Sequence, residues 1–334
     1  MSDLPLIRHS ERVDFKRCQM KWYWRWRKGL VPKQKSFGAL DLGTWMHAAL
    51  AIRYSPGGHS LSGAFEAVTH AALQHYAGPD YARDKADELA MLGQAMATAY
   101  DREYGDDSDI KILAVEIPLE FEIRNLTGEL IALHKLKPDA VFRNAGGVWL
   151  FEHKTAAQIR TEHLPIDDQA RPYVAMAEIA LENAGILKRS DKFRGIMYNF
   201  LRKALPDQRP RDGQGRYLNQ NGTVSAKQPS PYFQRLPLEI SAKSKRSALL
   251  RLGQEAHIIT EIASDLRKSP MRSPLRLMKT PHSSCPKLCP FFEMCKVQED
   301  GGDVRMMERT MYERRDPYLY EEETTDIPPS FELS

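Results

Sequence analysis

Val148 to Lys154 reads Val-Trp-Leu-Phe-Glu-His-Lys, an apolar run that ends in an acid, a histidine and an amine. Such a run fits a buried strand, and a buried strand does not carry charge at its end without a partner for it. Side chains two apart point the same way from a strand, so Glu152 and Lys154 share a face. Asp139, after Pro138, starts the preceding run, and a hairpin turned by Asn144-Ala145-Gly146-Gly147 brings Asp139 back beside Glu152. Two carboxylates and an amine at one end of a sheet have a plain chemical use. The acids hold Mg²⁺ or Mn²⁺, hard ions that prefer oxygen ligands. Such an ion polarises a phosphodiester and lowers the pKa of a bound water. The amine orients that water or stabilises charge building in the transition state. The competing reading is a surface Asp, Glu and Lys at a hairpin end, because Glu-x-Lys some way after an Asp is common by chance.

Two further features favour the chemical reading. Gln169 and Tyr173 are four apart, hence on one face of the helix read near Ile166–Asn183, and both can hydrogen-bond a phosphate or the nucleophile. His47, in Gly43-Thr-Trp-Met-His47, sits on an otherwise apolar helix. A lone histidine there is more often a satisfied core residue. Beside Asp139 and Glu152 it becomes a candidate third metal ligand.

The chain has four cysteines: Cys18, and Cys285, Cys289 and Cys295 in the stretch Cys-Pro-Lys-Leu-Cys-Pro-Phe-Phe-Glu-Met-Cys. No apolar run approaches the ~20 residues that span a bilayer, and the N-terminal stretch has no secretory signal. The expectation is a cytoplasmic protein whose thiols stay reduced, so clustered cysteines point to a metal rather than to disulfides.

The elements that position these residues follow from periodicity. Ser10 reads as the N-cap of a helix closed by Gly29; Leu40–Tyr54, Leu61–His75 and Tyr81–Tyr104 read as helices. The period then changes. Ile110–Ile123, Glu129–Leu136, Ala140–Arg143, Val148–Lys154 and Phe193–Leu201 read as strands. Leu205–Pro231 reads as a long loop or loose hairpin, Ala242–Lys268 as a helix and Asp303–Arg315 as a short one. No repeat or clean linker divides the chain.

Net charge is only +4, but it is unevenly spread. Lys16 to Lys35 holds eight Lys/Arg and no acid, while residues 321–334 hold five acids and no base. Trp22, Tyr23, Trp24 and Trp26 interleave with the early basic residues, a pattern on which bases can stack. Trp22 and Trp26 read instead as packing beneath the cysteines; Tyr23 and Trp24 stay open. Arg202, Lys203, Arg209, Arg211 and Arg216 either line a nucleic-acid channel or belong to a solvated loop. No G-x-x-x-x-G-K-[ST] occurs, so no P-loop motor is built in.

The order His47, Asp139, Glu152-His153-Lys154, Gln169-x-x-x-Tyr173 resembles the PD-(D/E)xK nuclease superfamily, and most of all its RecB/AddB-type exonuclease branch, over roughly residues 10–298. The resemblance implies an α/β fold: a restriction-endonuclease-like core with a mixed β-sheet flanked by helices. It implies His47, Asp139 and Glu152 as metal ligands, helped by the backbone carbonyl of His153. Lys154 would be the catalytic lysine, with Gln169 and Tyr173 completing the site. One early cysteine with three late ones is similar to the iron–sulfur staple of AddB and of CRISPR-associated RecB-like exonucleases. There a [4Fe–4S] cluster held by four thiolates would tie residues 10–35 to 280–298 around a helical part (40–105) and a catalytic core (110–270), leaving 301–334 as a short helix and acidic tail. The spacing of three and then five residues departs from the shorter first gap of those families. Structural Zn²⁺ is the alternative for four cysteines, although its sites usually pair two short knuckles. The expected function is a metal-dependent DNA exonuclease on single strands or ends, in recombination, repair or phage DNA metabolism, in a bacterial or phage-infected cell. Its expected partners are DNA and a helicase, recombinase or single-strand-binding protein, with no membrane. The alternative is a non-catalytic DNA-end-binding or scaffold subunit that keeps the fold and cluster.

Overall fold

The computed structural model describes residues 4–33, 39–74, 80–268 and 276–318. From the N-terminus, α1 (His9–Arg17) and α2 (Gln19–Trp22) lead through a π-helical turn at Tyr23–Arg27 into β1 (Leu30–Pro32). Three helices follow: α3 (Ala39–Tyr54), α4 (Leu61–Gln74) and α5 (Asp80–Tyr104). Then come β2 (Lys111–Val115), β3 (Leu119–Arg124), β4 (Leu130–Leu136), β5 (Ala140–Asn144), β6 (Gly147–Ala156), α6 (Ala170–Asn183), β7 (Phe193–Arg202), β8 (Phe233–Glu239) and α7 (Ala242–Lys268). The cysteine segment forms α8 (Cys285–Leu288) and α9 (Phe292–Glu299), followed by α10 (Arg305–Met311) and β9 (Tyr312–Arg314).

The centre is a mixed five-stranded sheet in the order β2-β5-β6-β7-β8, flanked by helices. β6 and β7 are parallel, joined over one face by α6, and the other pairs are antiparallel. Strand alternation feeds two cores. Ala140, Phe142, Trp149, Phe151 and Leu201 pack with α3, α4 and α5 on one face. Val141, Val148, Leu150, Ile196, Tyr198 and Phe200 pack with α1, α6, α7 and the β3–β4 hairpin on the other. A sheet covered on both faces explains why β6 and β7 read as near-continuous apolar runs.

Several expectations change. The single strand read over Ile110–Ile123 is two strands in two sheets. Glu116 has φ +49°, and Pro118 follows closely, so the chain turns out of the sheet into a separate hairpin. α1 starts one residue before Ser10, with Arg8 at its cap, and breaks at Cys18, which is extended (φ −165°, ψ 110°). α6 starts at Ala170, behind a 3₁₀ turn at Leu164–Ile166, where Asp167 Oδ1 accepts the Gln169 N–H at 2.5 Å. β1 and β8 carry no expectation from the sequence, and the helix read over Asp303–Arg315 covers only Arg305–Met311, its last residues forming β9 instead. His75 and the acidic stretch 321–334 lie outside the described residues.

β1 pairs antiparallel with β9, which brings the C-terminal segment back onto the N-terminal one. Gly29 makes this possible: its φ is +62°, and a Cβ there would run into the carbonyl oxygen of Arg315. Buried Glu11 fastens the same seam, accepting from Trp22 Nε1 at 3.0 Å, from Tyr318 Oη at 2.9 Å and from Arg27.

Candidate active site

The hairpin register places the acids. Ala140 pairs with Phe151, so Asp139, one residue before β5, stands opposite Glu152. On β6, Trp149, Phe151 and His153 face the α3–α5 layer, whereas Leu150, Glu152 and Lys154 face α6. Lys154 Nζ lies 2.6 Å from Glu152 Oε1. Asp139 Oδ2 accepts the backbone N–H of His153 at 2.6 Å, and Asp139 Oδ1 is 3.5 Å from His47 Nδ1. His47 comes from α3, in the opposite layer, and reaches the acid just before β5 begins. Gln169 at the start of α6 and Tyr173 one turn further line a cleft of about 670 Å³ together with Asp139 and Glu152. Residues spread over more than 120 positions are thus brought together: His47, Asp139, Glu152, Lys154, Gln169 and Tyr173.

The electrostatics divide the acids. Burial pushes the Asp139 carboxyl up, but the hydrogen bond and charge of His47, with the His153 amide, bring it down to about 2. Glu152 moves the other way: burial raises it, and the neighbouring Asp139 charge adds to that, against the pull of Lys154. Burial works against the Lys154 ammonium, yet Glu152 holds its pKa above the ordinary lysine value. Burial likewise opposes the His47 imidazolium, and Asp139 outweighs it. The Tyr173 phenol is driven well above its usual range by burial and then by the charges of Glu152 and Asp139, so it stays a neutral donor.

Two adjacent buried acids, one of them pushed toward its neutral form, are relieved by a divalent cation. The donor set, an imidazole with two carboxylates, fits Mg²⁺ or Mn²⁺. Among the described residues no three His, Cys, Asp or Glu side chains converge as a preformed cation cage. Glu152 is turned to Lys154, and Asp139 to His47 and the His153 amide, so a metal would enter by displacing these contacts.

The His153 side chain points away from the cleft into a buried polar cluster that sequence reading did not foresee. Its ring stacks on Tyr54 at 5.6 Å, and its Nδ1 is 3.0 Å from Asn199 Nδ2. Asn199 Nδ2 also donates to Tyr100 Oη at 2.9 Å. Tyr54 and Tyr100 share a hydrogen bond of 2.8 Å, and Arg235 donates to both phenols and to both oxygens of Asp107. Asn199 interrupts the otherwise apolar run Ile196–Leu201 apart from Tyr198, and that was the available signal.

The four cysteines also share a hollow, without forming a preformed cage among the described residues. Cys18, Cys285, Cys289 and Cys295 line one hollow of about 260 Å³ with Met20, Trp24 and Phe292 in its walls. Burial raises the thiols of Cys289 and Cys295, and the charge of the other cysteines, Cys18 included, raises both further. The backbone N–H of His282 donates to Cys285 Sγ at 3.3 Å. Four sulfurs around an apolar-walled hollow suit a soft metal centre.

Trp22 and Trp26 belong to the core on which Cys18, Cys289 and Cys295 pack; their indole N–H groups are anchored to Glu11 and Asp14 at 3.0 and 3.1 Å, because buried indoles take a polar partner. Trp24 lines the hollow and is 2% exposed, which removes it as a platform for bases. The loop arginines are committed: Arg209 to Asp207, Arg216 to Asp212 and Arg211 to Glu103.

A mixed sheet with helices on both faces, and a carboxylate pair and lysine at one end of its central strands, defines a metal-dependent nuclease class. The sequence matches the PD-(D/E)XK nuclease superfamily over residues 9–296, from the first residue of α1 to just past Cys295, and the chain belongs to that superfamily. Membership implies a phosphodiesterase-type hydrolase of DNA that works with divalent metal. Among solved structures, the chain is similar to a Eubacterium rectale protein described as "Putative exonuclease", at 13% identity and a TM-score of 0.40, covering 85% of this chain and 93% of that one. No curated protein matches the sequence. Among the described residues no helix is long and apolar enough to cross a membrane.

Proposed function

We propose that this chain is a RecB-like DNA exonuclease acting on single strands or DNA ends, in recombination, repair or phage DNA metabolism. The observation that carries it is the meeting of Asp139 and Glu152 at one cleft with Gln169 and Tyr173, with His47 against Asp139 and Lys154 against Glu152. The cleft is of single-ligand size, within the usual ~300–1,000 Å³. It is walled by the N-terminal segment, whose Leu6 bridges to Leu133 of β4, and so favours a short piece of one strand over a duplex.

His47, Asp139 and Glu152 would hold Mg²⁺ or Mn²⁺. The carbonyl of His153 projects from the strand on the same side as its N–H, which is bound to Asp139, so it too is available. The bound ion supplies a polarised phosphoryl oxygen and a water of lowered pKa. The chain's own residues do the rest. Lys154 orients the attacking water and offsets negative charge on the phosphoryl oxygens. Gln169 and Tyr173 hydrogen-bond the phosphate and hold it in line.

Cys18, Cys285, Cys289 and Cys295 are proposed to bind a [4Fe–4S] cluster that closes the nuclease unit, with residues 10–35 and 280–298 as the two sides of the staple. Anaerobically purified protein should be brown, and colourless protein with stoichiometric zinc would replace the cluster with Zn²⁺. The nuclease reading is tested with labelled single- and double-stranded DNA, free or blocked at the 5′ or 3′ end, plus Mn²⁺. Wild type should degrade DNA from an unblocked end, and Asp139→Ala should not. Identical traces for the two proteins would leave a scaffold role.

A further inference from the structure

The cleft has a second wall that the hydrolysis chemistry leaves unused. Arg8, His9 and Ser10 line it together with the acids, so the start of α1 opens onto the cleft. α1 is nine residues long, and no side chain caps its first N–H groups. Those groups and the positive end of the helix dipole are a ready anion site.

A second feature is independent of that helix. His134, on β4, lines the same cleft, is 1% exposed, and its Nδ1 has no hydrogen-bond partner. A buried polar nitrogen without a partner is costly, and an incoming group that pairs with it recovers that cost. The surroundings are cationic. Burial first and then Arg12, with Lys16 and Lys154 against Asp167, hold His9 down to about 4. Burial and then Arg12, His9 and Arg8 hold His134 down to about 3, against a hydrogen bond with the Ile7 backbone. Both rings are neutral at pH 7, each with one N–H and one acceptor nitrogen, in a field that favours an anion.

We propose that the start of α1, with His9 and Ser10, and His134 across from it form a phosphate-binding subsite that grips the substrate strand beside the phosphate being cut. The identity of that strand rests on the nuclease reading; the affinity for phosphate does not. The phosphate is either a terminal phosphomonoester or an internal phosphodiester.

The test is binding without cleavage. Wild-type protein in chelator is titrated, by fluorescence anisotropy, against short labelled oligothymidylates ending in 5′-phosphate, 5′-hydroxyl or 3′-phosphate. Ser10→Asp is the chosen variant: an acid in the first turn suits the helix dipole, so the melting temperature should hold while phosphate is repelled. Ser10→Asp should weaken binding about tenfold, the size of one lost charge-assisted contact. A wild-type preference for one phosphorylated end, lost in Ser10→Asp, identifies a terminal phosphomonoester. Equal weakening for all three oligonucleotides identifies an internal phosphodiester. Wild-type affinity in both Ser10→Asp and His9→Ala overturns the subsite. Cleavage with Mn²⁺ is scored separately: weakened binding in Ser10→Asp with no wild-type cleavage keeps the subsite and removes the nuclease, and the converse result does the opposite.

Discussion

Asn199 Nδ2 lies 3.0 Å from His153 Nδ1, and with the Asn199 amide in this orientation His153 accepts there and carries its proton on Nε2. This contact sits directly behind the site, because the N–H of the same His153 binds Asp139 Oδ2. The buried cluster thus sets the backbone from which Glu152 and Lys154 project. Asn199→Leu, similar in volume, leaves the His153 nitrogen and a Tyr100 hydrogen bond unpaired. We expect a stability loss of about 1–3 kcal/mol by urea unfolding. Cleavage measured well below the melting transition should fall further than the folded fraction does. An activity loss that merely tracks unfolding would leave Asn199 a packing residue.

Lys154 is the ammonium that pulls Glu152 toward its charged form, against burial and Asp139, which on balance raise it. Lys154→Met should lower the cleavage rate about 100- to 1,000-fold, the usual effect of removing one donor to transition-state charge. It should also change metal binding in a pH-dependent way. Without the ammonium, Glu152 keeps its proton to higher pH, and a metal needs the anion. Mn²⁺ titrations at pH 6 and pH 8 should therefore differ more in the variant than in wild type. Equal pH sensitivity in both would show that Lys154 does not govern Glu152.

The site was legible in the sequence where chemistry and periodicity coincide. The alternation of β6 placed Glu152 and Lys154 on one face, and the hairpin arithmetic placed Asp139 across from Glu152. Gln169 and Tyr173 were legible as neighbours because four residues make about one helical turn. What escaped was either short or distant. β1 and β9 are three residues each, too short for any period. β8 reads Phe-Gln-Arg-Leu-Pro-Leu-Glu, and Pro237 argues against a strand; it is tolerated because β8 is at the sheet edge. Arg235 and Asp107 meet across 128 positions, which no local pattern encodes.

Buried histidines should make the fold acid-sensitive. His134 and His153 are held down to about 3, and His9 to about 4, each with burial as the leading cause. A histidine depressed in the folded state binds its proton only after unfolding. Stability therefore falls as pH drops below the unfolded value and keeps falling until the folded value is reached. Between pH 7 and pH 5 each such ring costs about 2 kcal/mol. Glu11 and Glu152, raised by burial, act in the opposite sense, so one ring is best isolated by difference. His134→Leu should lose about 2 kcal/mol less than wild type between those two pH values, measured by urea unfolding. Parallel losses in the two proteins would mean that His134 titrates normally.

The seam between the two chain ends is fastened twice. The four thiols surround one hollow. Beyond them β1 pairs with β9, and Tyr318 Oη donates to Glu11. The proposed ligation from Cys18 to Cys285 would close a loop of more than 260 residues and so restrain the unfolded chain strongly. The second fastening restrains the same ends. Cys18→Ser should therefore lose the chromophore and melt at lower temperature, yet still unfold in one cooperative step. In that background the Tyr318–Glu11 contact carries more of the closure. Tyr318→Phe should lower the melting temperature only slightly in wild type and by clearly more in Cys18→Ser, since the two changes act on one shared seam. Simple additivity of the two shifts, read from thermal melts of all four proteins, would show that the thiol hollow and the strand clasp hold the ends independently.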